Sequence, residues 1–114
     1  MTLDELATAI RKTSSDSVAL QLADLLSGWI DDEADAAELA RTVEQFVGNT
    51  WIASSTEHEK IYRLWSEFRD DAIQGIGGMT MNERLYCFSL FHRWDSSQTD
   101  EDRKIIYAKL LANP

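Results

Sequence analysis

Apolar residues recur along this chain at intervals of three and four, the spacing of one face of an α-helix. Thr2 with Glu5 makes a capping-box pattern, and Leu3, Leu6 and Ile10 follow on one face, up to a stop near 13–15. A second helix begins at Asp16 or Ser17, with Val18, Leu22, Leu25, Leu26 and Trp29 in one stripe and Gly28 weakening its last turn. The third starts at Asp35, with Glu38 in the box position. Its apolar face runs from Ala36 to Val47, and Gly48 is the expected stop. Residues 49–54 connect it to a fourth helix, capped by Thr56 and Glu59, with Ile61, Leu64, Trp65, Phe68 and Ala72 inward. Gln74 to Gly78 breaks that helix. Thr80 and Glu83 cap a fifth, whose residues from Met81 to Trp94 are apolar nearly all round, so it is expected to be the most buried. Thr99 to Asp102 opens the last, with Ile105, Ile106, Leu110 and Leu111 as apolar positions.

No segment alternates apolar and polar residues between turn dipeptides, so strands are not expected. The expected fold is all-α: residues 1–114 as a single compact domain of five to six helices, an orthogonal or up-down bundle. A chain of 114 residues with one proline and five glycines fits that class and argues against a turn-rich β fold. Its 44% hydrophobic content is enough for a core and excludes disorder. Trp29, Trp65 and Trp94 lie on helix faces and are expected in the core. The single cysteine, Cys87, excludes an internal disulfide and reads as a buried, inert thiol. The first residues carry no basic region and no apolar run, and nothing approaches the roughly 18 apolar residues of a membrane helix. A cytoplasmic location is expected, with no membrane partner.

Charge changes the picture more than composition does. The net charge is −9, and all of it falls between residues 13 and 59, where ten acids face one base, Arg41. Residues 60–114 hold eight acids and eight bases. Phosphate contact needs a net basic stripe, so direct nucleic-acid binding is not expected, while an acidic surface that imitates nucleic acid and occupies a basic cleft stays open. The densest run is Asp31-Asp32-Glu33-Ala34-Asp35, followed by Glu38. Two readings stand: a solvated turn with Asp35 as N-cap, or a landing site for a basic partner, since such a field raises association rates. The acids Asp100, Glu101 and Asp102 are by contrast expected to be compensated by Arg103, Lys104 and Lys109. Trp51, in the connector, is either a loop side chain tucked over the core or an anchor for a partner.

Catalytic and metal chemistry find no pattern. Glu57-His58-Glu59 points to different sides of a helix, and His92 has no His or Cys four residues away. There is no zinc spacing, no calcium loop and no nucleophile elbow. Gly75 to Gly78 precedes a helix but lacks the lysine of a phosphate loop. No cofactor, no metal and no catalytic residue is expected.

Residues 78–95, from Gly78-Met79-Thr80-Met81-Asn82-Glu83-Arg84-Leu85 to Trp94-Asp95, resemble a segment of small bacterial proteins, some of which look like immunity partners of toxins. His92-Arg93 departs from the more acidic form usual there. The resemblance implies an immunity-type protein that binds and neutralises a toxin, and the acidic middle segment makes a basic toxin domain the expected partner. The expected binding residues are Asp31, Asp32, Glu33, Asp35 and Glu38, taken from the charge map, and Trp51 as the candidate anchor. The alternative is a helical adaptor that homodimerises or docks on an enzyme.

Overall fold

A computed structural model describes all 114 residues. They form seven α-helices and no strand: α1 (Leu3–Thr13), α2 (Ser17–Trp29), α3 (Ala36–Asn49), α4 (Ser55–Phe68), α5 (Met81–Cys87), α6 (Phe91–Asp95) and α7 (Asp100–Lys109). A π-helical segment (Arg69–Ile73) prolongs α4, and a short 3-10 turn (Ile76–Gly78) leads to α5. α1 packs against α2 and α4, and α2 packs on α3. One continuous core of 23 residues runs through these elements. At its centre Phe88 meets Trp29 at 5.5 Å and Phe68 edge-on at 5.6 Å, spacings favoured by aromatic pairs. No helix is long and apolar enough to cross a membrane.

Local hydrogen bonds set most of the helix starts. Thr2 and Thr80 each form a complete capping box, with Glu5 and Glu83 reaching back to the cap N–H. Asp16 caps α2 through Val18 N–H and also accepts Ala53 N–H, which ties the α3–α4 connector to α2. Asp35 caps α3 through Glu38 N–H at 2.8 Å. α4 differs from expectation. Ser54 caps it through Glu57 N–H, two residues before Thr56, because Ser54 reaches a cap position first. α3 likewise runs past Gly48 to Asn49.

The largest departure is the fifth helix, which is two. α5 ends at Cys87, and Ser89 takes a left-handed conformation, φ 58°. Leu90 N–H bonds Leu85 C=O at 2.9 Å and Ser89 N–H bonds Tyr86 C=O, a Schellman ending without glycine. Ser89 Oγ also accepts Asp4 N–H at 3.0 Å, so a contact with α1 holds the turn. The expected all-round burial fails for the same reason. Only Leu85, Phe88 and Leu90 are buried here, Tyr86 is exposed, and Cys87 and Trp94 are half-buried. Burial is still enough to push the Cys87 thiol above its ordinary value.

α7 ends in the same motif. Ala112 N–H bonds Tyr107 C=O and Leu111 adopts φ 55°, an αL strain that glycine would not carry. Leu111 is 45% exposed, so its side chain adds little to the core. Leu111→Gly should therefore raise stability by about 0.5–1 kcal/mol, read as a higher urea midpoint.

Glu44 fastens α3 to α4, accepting from Trp65 Nε1 at 3.1 Å and from Arg69 at 2.8 Å. The Arg69 guanidinium holds the Glu44 carboxyl below its usual range. Backbone N–H groups do the same for the carboxyls of Glu5, Asp16 and Glu83. Each then binds its proton more weakly folded than unfolded. Their stabilisation is complete above the unfolded values, near about 4, and is lost as pH falls through the folded ones. A urea-midpoint series from neutral pH downward should show this loss, and Glu44→Gln should make it shallower.

Candidate functional site

The acidic run folds into the turn between α2 and α3, and two cations from the far half of the chain reach into it. Lys109, on α7, is fully buried. Its ammonium donates to Asp32 Oδ1 at 2.8 Å and to Ala34 C=O at 2.9 Å, and lies 3.7 Å from the centroid of the Trp29 ring. These contacts meet the need of a buried cation for hydrogen bonds and a counter-charge, and the ring face adds a cation–π contribution. Desolvation nevertheless outweighs them and lowers the Lys109 pKa from its ordinary value. Arg93, in the middle of α6, donates through Nη1 to Ile30 C=O at 2.9 Å and to Asp32 C=O at 2.7 Å. The turn's own bonds complete the mount: Ala34 N–H to Asp32 Oδ1, and Trp29 Nε1 to Asp35 C=O.

The six residues expected from the sequence thus separate into three groups. Asp32 and Asp35 are engaged inside the chain, one as counter-ion and one as helix cap. Asp31, Glu33 and Glu38 are exposed and pair with no cation. Trp51 lies past the other end of α3, a helix of 14 residues and so roughly 20 Å long. It does not join the acidic turn. The charge compensation expected for the last helix also changes. Lys104 pairs with Glu101 at 3.6 Å and Arg103 lies over the Trp94 ring, but Lys109 belongs to Asp32.

Trp51 is 67% exposed and stacks on His58 with ring centroids 4.1 Å apart. Beneath this pair Val18, Leu22, Phe46, Ile52, Ile61 and Trp65 leave a void of about 20 Å³, room for about one water. Beside it an open groove of about 600 Å³ runs between Val47 and the His58, Tyr62 and Ser66 stripe of α4. No group of three or more His, Cys, Asp or Glu side chains converges as a metal site.

The charge map missed Lys109, Arg93 and His58. A signal for Lys109 was present: it stands three residues after Ile106 on the buried face of α7, a charge where the period demands an apolar residue. The contacts of Arg93 are made across the fold and have no local signature, and His58 stacks on Trp51 across a non-helical connector whose path the periodicity does not specify.

No family model matches this chain, and neither a curated protein nor a solved structure matches it.

Neighbouring acids of the turn should behave differently. Asp32→Ala leaves a buried ammonium without its carboxylate and should cost about 2–3 kcal/mol, below the range of a fully enclosed pair because Asp32 is itself half-exposed. Asp31→Ala should stay within about 0.5 kcal/mol of the parent in the same urea titration.

Proposed function

We propose that this chain is a non-catalytic protein-binding domain of the immunity type, acting in the cytoplasm, which captures and neutralises a basic toxin domain. The observation that supports this reading is the mounting of the acidic turn. Lys109 and Arg93 fix its backbone from below, while Asp31, Glu33 and, one turn into α3, Glu38 stand in water with no cation of their own. A rigid surface loses little conformational freedom when a partner docks. Its unshared negative charge accelerates the approach of a basic partner. The resemblance of residues 78–95 to immunity-type proteins agrees with this reading. That segment supplies core residues and Arg93, so its contribution is to the mount and not to the contact surface.

The test separates local from overall charge. The polypeptide encoded beside the gene is the first partner to try, by co-purification and stopped-flow mixing. Replacing Asp31 and Glu33 by Lys keeps the Asp32–Lys109 pair and should slow association about tenfold at low salt, with a flatter salt dependence. Replacing Asp100 and Glu101 by Lys changes formal charge equally and should slow it less. Equal slowing by both pairs would reduce the effect to net charge. No slowing by either would remove the acidic turn from the interface.

A further inference from the structure

A chain of net charge −9 repels its own copies over most of its surface, and a face that carries both signs lessens that repulsion. The outer face of α4 is such a place. Glu59 and Arg63 are exposed, stand one turn apart, and neither pairs with a charge of its own chain. Lys60 adds a second unpaired cation. The last helix also carries both signs, but its Lys104 is already engaged by Glu101 and its Arg103 by Trp94.

The α4 face also carries exposed aromatic side chains. Trp51 is 67% and Tyr62 41% exposed, and the open groove bounded by Val47, His58 and Ser66 lies between helices α3 and α4. Exposed aromatics beside a groove are the residue types and shape that interfaces favour.

We infer that a second copy of this chain docks on α4, the two α4 helices running antiparallel about a two-fold axis. The sequence is self-complementary in that register. Glu59 of one copy faces Arg63 of the other, and the two-fold repeats the contact with the roles exchanged. Parallel packing would instead set Glu59 on Glu59 and Arg63 on Arg63, which like-charge repulsion disfavours. The acidic turn lies at the other end of α3 and stays open, so this inference stands independently of the partner reading.

Sedimentation over a concentration series tests it, with the purified chain alone. The parent should move from the 13.0 kDa monomer towards twice that mass as concentration rises. Glu59→Arg and Arg63→Glu each create two like-charge contacts by symmetry. Each alone should raise the dissociation constant about tenfold or more. Combining them restores the complementarity with the signs exchanged and should bring the constant back to within about twofold of the parent. All these positions are exposed, and helical circular dichroism should be the same in each variant. A parent that remains monomeric throughout the series would overturn the inference. So would a dimer indifferent to the single reversals, or one that the double exchange fails to rescue.

Discussion

The ammonium of Lys109 sits out of water, and three groups at the end of α2 and in the turn between α2 and α3 are arranged around it. Asp32 supplies charge, Ala34 a carbonyl and Trp29 the face of its ring. A buried cation left without such partners would cost several kcal/mol, so α7 can dock only where the α2–α3 turn already has this shape. The reverse also holds. Four acids within five residues repel one another, and the turn that carries them is closed by a cation that lies 77 residues away in sequence. Each half of the molecule resolves the other's difficulty. Arg93 adds a second clamp on the same turn, from a different helix.

This dependence alters the meaning of the acidic run. As a string of letters it is a block of negative charge. In the fold it has an inner side, where Asp32 and Asp35 hold structure, and an outer side, where Asp31 and Glu33 face water. Carboxylates engaged by the fold and carboxylates left in water alternate at single-residue spacing. A substitution chosen by charge alone would strike both together.

The sequence made the helical class legible because its signals are local. Thr2 with Glu5 and Thr80 with Glu83 specify their helix starts within four residues, and both boxes form. Where two residues compete for one cap, as Ser54 and Thr56 do, spacing alone could not choose between them. The split of the long apolar helix at Ser89 was hidden for a different reason. A left-handed ending is signalled by glycine, and here a serine adopts it with help from the N–H of Asp4, 85 residues away. The candidate site was half legible. Which carboxylates are engaged depends on Lys109, and only the misfit of a charge on an apolar face hinted at it. That Trp51 and the acidic turn lie at opposite ends of α3 follows from helix length, and separates two features that the charge map had joined.

The contacts that complete the structure also impose an order in time. Ribosomes release α2 and its acidic turn long before α7. Until then the ring face of Trp29 lacks its ammonium and the turn its counter-ion. The early helices can collapse on their mutual apolar faces, because α1 and α2 are neighbours in both sequence and space. The last step is a long-range closure, and it must wait for the final helix to be made. During synthesis the nascent domain therefore carries an open aromatic face rimmed with uncompensated negative charge. That charge discourages contact between emerging chains during the interval when their apolar surface is most exposed.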